Sequence, residues 1–252
     1  MRVVIVVPAR MGSSRFPGKP LAPILGKTML EHVLGNALES ASASEVVLAS
    51  CDSEIFEAIG SLPDVRKIET SKQHVRASER TLEAAQQLAA SGPKPDLVVM
   101  LQGDEPCITG AMIDAQVSAH FSDQSFGVSN LVGRIGSREE HHSSNSIKVL
   151  SNSSSEIVYM SRLPIPGEGH LDSKYLGKQV CSIAFSWDSL QLFGQLAESP
   201  LEIAESIDML RFIESGIKIK AIATDARTHP VDVKSDIAKV ERILNQLNEP
   251  GL

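Results

Sequence analysis

The stretch Val3-Val4-Ile5-Val6-Val7-Pro8, running on as Ala9-Arg10-Met11-Gly12-Ser13-Ser14-Arg15-Phe16-Pro17-Gly18-Lys19-Pro20, decides how the chain reads. Its β-branched residues without polar alternation describe a strand buried on both faces, as in a parallel sheet. Pro8 ends the strand, and a loop rich in Gly, Ser and cations follows. In open α/β sheets ligands bind beyond the carboxyl ends of the strands, so this loop is the first place to look for a site. Small residues let backbone N–H groups approach an anion, and Arg10, Arg15 and Lys19 bring charge, which suits a triphosphate. It is not a Walker loop, because GxxxxGK[ST] is absent and Pro20 follows Lys19; GxGxxG is absent too. A solvated surface loop has the same composition, and the position after the first buried strand favours the phosphate reading.

Working outward, residues 27–40 place Met29, Leu30, Val33, Leu34, Ala37 and Leu38 on one helical stripe. Glu45–Ser50 reads as a strand, Ser53–Ile59 as a short helix, and Thr81–Ala90 as a helix closed by Gly92-Pro93. Leu97–Leu101 is a further buried strand and Ala111–Phe121 a further helix. This alternation predicts an α/β fold with a doubly wound, mostly parallel sheet. In mid-chain, Ser146–Leu150 and Glu156–Met160 flank a Ser/Asn-rich turn and predict a β-hairpin. Residues 163–178 read as an exposed loop and Gln179–Ser186 as a strand. The end returns to α/β, with a helix over 202–214, a strand over Ile217–Ala223 and a helix over Asp236–Leu247 capped by Ser235. The expected organisation is a single domain, 1–252, with about 145–186 inserted as a hairpin.

Bulk properties exclude several functions. Aromatic residues make up only 4% of the 252, too few for a base-stacking surface, and the net charge of -7 argues against a nucleic-acid polymer or an anionic membrane as partner. No apolar run is long enough to span a bilayer, and the N-terminus reads as a strand with no cleavage site, so the expected compartment is the cytoplasm. Cys51, Cys107 and Cys181 form no CxxC and read as reduced core or near-core thiols.

A second motif follows the strand Leu97–Leu101: Gln102-Gly103-Asp104-Glu105-Pro106. Carboxylates just past a buried strand suit Mg²⁺, which takes one or two of them and completes its shell with phosphate oxygens. Nucleotidyl transfer needs a metal to hold the triphosphate and offset charge at the α-phosphorus. A plain type I turn has the same residue types.

With both motifs in place, Pro8-Ala9-Arg10-x-x-Ser13-Ser14-Arg15-x-Pro17-Gly18-Lys19-Pro20-Leu21 resembles the signature of the 3-deoxy-manno-octulosonate (Kdo) cytidylyltransferases, the CMP-sugar-acid synthetases of lipopolysaccharide biosynthesis. Their QGDEP string is also present. The resemblance covers nearly the whole chain. It implies a nucleotide-diphospho-sugar transferase-like fold with a small β-hairpin dimerisation subdomain, CTP and a sugar acid as substrates, Mg²⁺, and a homodimer joined through about 150–186. It places Pro8, Ala9, Arg10, Ser13, Arg15 and Lys19 around CTP, with Arg10 and Lys19 neutralising phosphates. It gives Asp104 the metal, and it turns Gln102 toward nucleotide and sugar acid.

Pro230-Val231-Asp232-Val233-x-x-Asp236 is similar to the family's second acidic segment and makes Asp232 the other metal ligand; Asp236 suits a helix entry. His74-Val75-Arg76-Ala77-Ser78-Glu79-Arg80 resembles H-x-S-G-T-E/D-R, which brings His74, Ser78 and Arg80 to the nucleotide, although Arg76-Ala77 replace Ser-Gly. A buried hydrogen-bonding role suits His74 equally. Asn145-Ser146-Ile147-Lys148-Val149 and Ser161-Arg162-Leu163-Pro164-Ile165-Pro166 resemble segments that turn Lys148 and Arg162 toward the substrate carboxylate or phosphates; solvation at strand ends is the plainer role.

The acceptor segments depart most. Lys178-Gln179-Val180-Cys181-Ser182-Ile183 stands where the family has R-H-x-G-x-Y, and Glu205 is followed by Asp208-Met209 in place of Glu-Gln. Gln179, Glu205 and Asp208 are the expected substrate contacts. The implied reaction is CMP transfer to Kdo or to a modified ulosonic acid for lipopolysaccharide or surface polysaccharide. Transfer to a nonulosonic acid, phosphosugar or phosphonate, and a non-catalytic nucleotide-binding relative, remain open.

Overall fold

β1 (Val3–Pro8) is buried at every residue and pairs in parallel on both sides, as its unbroken apolar run requires. The structure is a computed structural model that describes residues 1–13, 15–60, 62–167 and 173–248. Ser14 of the loop motif and residues 168–172 of the Pro/Gly-rich loop lie outside them. The chain divides into two compact units, Met1–Asp114 with Arg227–Leu252, and Ala115–Ala226.

In the first unit a two-stranded ribbon, β2 (Pro23–Ile24) and β3 (Lys27–Thr28), leads into α1 (Met29–Leu38). Thr28 caps that helix by accepting from the Glu31 N–H, and Glu31 reaches back to the Thr28 N–H. β4 (Glu45–Ser50), α2 (Ser53–Ala58), β5 (Val65–Glu69), α3 (Ala77–Ser91), β6 (Leu97–Leu101) and α4 (Gly110–Phe121) follow. β4 and β6 flank β1 in parallel, and β5 adds to β4. All four strands therefore end on the same edge, which gathers the loops after β1, β4 and β6. α3 starts earlier than the apolar pattern predicts. The Glu79 side chain accepts from the Val75 and Arg76 N–H groups and fixes its entry.

The second unit holds β7 (Val128–Gly133), α5 (Arg138–His142), β8 (Lys148–Ser151), β9 (Ile157–Ser161), β10 (Leu176–Ser186), α6 (Trp187–Gln195), α7 (Pro200–Glu205), α8 (Leu210–Glu214) and β11 (Ile219–Thr224). β7 pairs antiparallel with β10 and parallel with β11; β8 and β9 form the expected hairpin. The Asn152 Oδ1 shapes the hairpin turn by accepting from the Ser154 and Glu156 N–H groups. The single helix expected over 202–214 is two helices. Ser206 takes the left-handed conformation, φ 54°, and breaks the run. A buried pair restores the connection: Arg211 Nε and Nη2 each lie 2.7 Å from Glu202, and the guanidinium stacks 4.1 Å over Phe193.

The chain then returns to the first unit through a short 3₁₀ turn, Lys234–Asp236, and α9 (Ile237–Asn248). Val231, Val240 and Leu244 pack with Ile24, Met29 and Cys107 in one core cluster. The expected Ser235 cap is replaced. Ser235 sits inside the turn, and Asp236 Oδ2 accepts from the Asp232 and Val233 N–H groups, 3.0 Å each. All three cysteines are free.

Candidate active site

The loop after β1 is folded on its own backbone. The Met11 carbonyl accepts from the Ser13 and Gly18 N–H groups, and the Met11 N–H donates to Asp52 Oδ2 at 2.7 Å. Gly18, at φ 72°, turns the chain left-handed into Lys19-Pro20-Leu21, a conformation that penalises a Cβ. Ala9 is buried at the root of the loop, and its N–H donates to the Ala49 carbonyl. Ser13 is half-buried, Arg10 and Arg15 exposed.

The acidic turn after β6 comes against this loop. A Cβ at Gly103 would lie 3.2 Å from the Pro8 carbonyl oxygen, so a glycine is needed for that approach. The Val231 N–H donates to the Asp104 carbonyl at 2.9 Å, which ties the distant segment carrying Asp232 to the turn. Lys19 Nζ lies 2.7 Å from Asp104 Oδ2, and Arg15 Nη2 lies 2.9 Å from Asp232 Oδ1. Four residues from three separated stretches thus form alternating charges. Burial pushes the Asp232 carboxyl above the usual range and nearby Asp104 adds to it, against Lys19 and Arg15. Burial works against the Lys19 ammonium, but Asp104 and Asp232 outweigh it and hold its pKa above the ordinary value.

Asp104 Oδ1 is buried without a hydrogen-bond partner. An orphaned carboxylate oxygen beside a second carboxylate held partly out of water calls for a cation. The pair fits Mg²⁺, which needs only one or two protein carboxylates when phosphates supply the rest. Among the described residues no three His, Cys, Asp or Glu side chains cluster as a complete protein metal cage.

Beside the loop, a cavity of about 280 Å³ is lined by Arg10, Gly12, Cys51, Asp52, Lys72, His74 and Arg80. The predicted Arg10, His74 and Arg80 meet here. Cys51 and Asp52 follow β4, where the strand-end rule points. Lys72 lies in a polar turn before α3 with no motif of its own, and only the folded chain brings it in. His74 Nε2 is 2.5 Å from Glu83 Oε2, and buried Arg80 donates to Thr70 Oγ1. Ser78 is buried in the first turn of α3 and Gln102 is half-buried. Arg76, at φ −97°, and the helical Ala77 show that this backbone requires no glycine where Ser-Gly was replaced.

In the second unit the predicted cations are spent on backbone. Lys148 is wholly buried, and its Nζ donates to the carbonyls of Ser143, Ser146 and Arg162 at 2.8, 2.5 and 2.5 Å. Burial, with Arg162 nearby, pushes its pKa down to about 8. Arg162 Nε, Nη1 and Nη2 donate to the carbonyls of Glu205, Ser144 and Ser206. Glu205 accepts from Ser161 Oγ and the Arg162 N–H. Lys148, Arg162 and Glu205 are therefore one cluster, while Asp208 sits half-buried between α7 and α8 and Gln179 half-buried on β10.

The sequence matches the family described as cytidylyltransferase over residues 4–219. It is 34% identical over 257 residues to a 3-deoxy-manno-octulosonate cytidylyltransferase of Geobacter metallireducens, covering 98% of this chain and 99% of that one. To the same-named proteins of Nitratidesulfovibrio vulgaris and Escherichia coli it is 38% and 34% identical, covering 97% of this chain each time and 95% and 97% of theirs. The fold is similar to that of a CMP:2-keto-3-deoxy-manno-octonic acid synthetase complexed with CTP, at TM-score 0.87 and 33% identity, covering 98% of this chain and 100% of that one. A 4-diphosphocytidyl-2C-methyl-D-erythritol synthase from Anaerococcus prevotii shares the fold at TM-score 0.65 and 13% identity, covering 97% of this chain and 96% of that one.

Proposed function

This chain belongs to the cytidylyltransferase family, and from that premise we propose that it transfers CMP from CTP to Kdo or a Kdo-like ulosonic acid, releasing pyrophosphate. The observation that carries the reading is the alternating cluster Lys19–Asp104 and Arg15–Asp232 beside the loop after β1.

Arg10, Arg15 and Lys19 bind the triphosphate, and the Gly/Ser backbone of the loop approaches its oxygens. Asp104 and Asp232 would hold Mg²⁺, which when bound would supply positive charge to offset that of the triphosphate. The anomeric hydroxyl oxygen attacks the α-phosphorus and gives up its proton to water; the bond from that phosphorus to the oxygen it shares with the β-phosphorus breaks and pyrophosphate leaves with the electron pair. Lys19 offsets the negative charge that develops on the departing pyrophosphate. Gln102, His74, Ser78 and Arg80 surround the nucleotide, and Gln179, Glu205 and Asp208 face the acceptor, with Lys148 and Arg162 framing it.

Pyrophosphate release across a panel of nucleotides and sugar acids tests this. Fastest turnover with CTP and Kdo or a close ulosonic acid is expected; release with another nucleotide, or on no acid, would overturn it. The substitutions at Gln179, Ile183, Asp208 and Met209 favour a modified ulosonic acid over Kdo itself. Val158, Leu163 and Tyr175 are exposed apolar residues of the hairpin region, and they support a homodimer through 150–186, checked by light scattering with Val158→Asp. No helix among the described residues is long and apolar enough to cross a membrane.

A further inference from the structure

Asp52 stands immediately before α2, at the position where a carboxylate ordinarily accepts from the first N–H groups of its own helix. Its side chain makes no such cap. It reaches across to the loop after β1 instead, where Oδ2 accepts from the Met11 N–H at 2.7 Å. The backbone of Asp52 is itself held. Its N–H donates to Oγ of the wholly buried Ser50 at 3.1 Å, and its carbonyl accepts from the Ile55 N–H. All these residues belong to the first unit.

Met11 is the hub of the loop. Its carbonyl accepts from the Ser13 and Gly18 N–H groups at 2.9 and 3.2 Å, and the second of these bonds closes the turn that delivers Lys19. On the other side, the Ala9 N–H donates to the Ala49 carbonyl at 2.9 Å. Arg10 is thus bracketed by two ties to the end of β4, Ala9 to Ala49 and Met11 to Asp52. The first joins backbone to backbone and is open to any side chain. The second depends on one carboxylate.

Electrostatics alone would not put a carboxylate there. Among the described residues that line the cavity beside the loop, Arg10, Lys72, His74 and Arg80 are basic and Asp52 is the one acid. In a site for an anion that charge opposes the ligand. Its bond to the Met11 N–H gives the charge a use.

We propose that Asp52 is a positioning residue for the nucleotide, which acts through the Met11 N–H to hold the loop, and Arg10 with it, in the shape that receives the triphosphate. The proposal rests on the reaction assigned above. Geometry and charge predict opposite signs. Loss of the bond loosens the loop and weakens CTP, whereas mere loss of a repelling charge would strengthen it.

The experiment compares the wild-type chain with Asp52→Asn and Asp52→Leu in two ways. The first uses no nucleotide: brief trypsin digestion, with mass spectrometry to follow cleavage after the exposed Arg10 and Arg15. Asp52→Leu is expected to be cut faster at both bonds and no faster elsewhere, because cleavage follows local opening. Asp52→Asn, whose amide oxygen still accepts from Met11, should be cut like the wild type. The second is pyrophosphate release. Asp52→Leu should raise KM for CTP about ten-fold, the worth of one charge-assisted bond, with KM for the sugar acid and the melting temperature little changed. Asp52→Asn should restore most of that affinity, which a general loosening of the fold would not produce. A CTP KM that falls or stays level in Asp52→Leu, unaltered cleavage after Arg10 and Arg15, or an Asp52→Asn as impaired as Asp52→Leu overturns the proposal and leaves the reaction standing. A wild-type chain inert toward every nucleotide and acid overturns the reaction itself, and the proposal with it.

Discussion

Lys19 in the first unit and Lys148 in the second are both drawn out of water and both make short bonds, yet to different kinds of partner. Lys19 meets a carboxylate, Asp104, which has a second oxygen left over. Lys148 meets three backbone carbonyls that belong to the fold itself. A side-chain ion pair can be exchanged for other partners; a lysine knotted into backbone cannot leave without stranding buried carbonyls. Charge in the first unit is held in side-chain ion pairs, and charge in the second holds backbone in place.

The comparison is broken most directly at Asp104. Asp104→Ala should reduce pyrophosphate release by on the order of 10³-fold or more with little change in unfolding temperature. Mg²⁺ should raise the melting temperature of the wild type but not of Asp232→Ala, as mass action on a lost site requires. Near-normal turnover of Asp104→Ala would end the metal assignment. In the second unit the largest effect is on stability. Arg211→Met leaves Glu202 charged and buried, and should cost about 3–5 kcal/mol in urea unfolding.

The two lysines give the matched pair. Lys148→Met should destabilise by about 2–3 kcal/mol through its unpaired carbonyls. Lys19→Met should cost less, about 1 kcal/mol, because Asp104 keeps some access to water, while weakening CTP binding about ten-fold or more by calorimetry. Equal stability losses would erase the distinction between the two units. The smallest effect is a pH slope. Burial, with Lys220 nearby, pushes the His120 imidazole down to about 4. The unfolded chain takes up its proton near the ordinary 6.5, so it binds more protons between those values, and stability falls as pH drops from 6.5 toward 4. That loss should be about 1 kcal/mol at pH 5.5 and shrink in His120→Gln.

The first unit was the more legible because its signals are local. The unbroken run Val3–Val7, the loop behind it and the QGDEP turn each announce themselves within a few residues. β5 was not, because its Val65 and Ile68 alternate with exposed Arg66, Lys67 and Glu69 at the sheet edge and its apolar run is short. Nor was the split of 202–214, since apolar spacing continues through Ser206 and only its left-handed backbone ends the helix. Lys72 reaches the cavity through the fold alone. Lys148 and Arg162 show the limit of motif reading: which acceptors they meet is decided by the carbonyls of Ser143, Ser146, Glu205 and Ser206, which no pattern of side chains records.

The Val231 N–H to Asp104 carbonyl bond carries one more consequence, for the order in which the protein is made. The first unit is discontinuous, Met1–Asp114 closed by Arg227–Leu252, with the whole of Ala115–Ala226 translated in between. On the ribosome the phosphate loop and Asp104 emerge early but wait, without Asp232 or the packing of α9 over Ile24 and Met29, until the second unit is complete. A chain interrupted anywhere before residue 232 would carry the loop and the acidic turn without their closing segment.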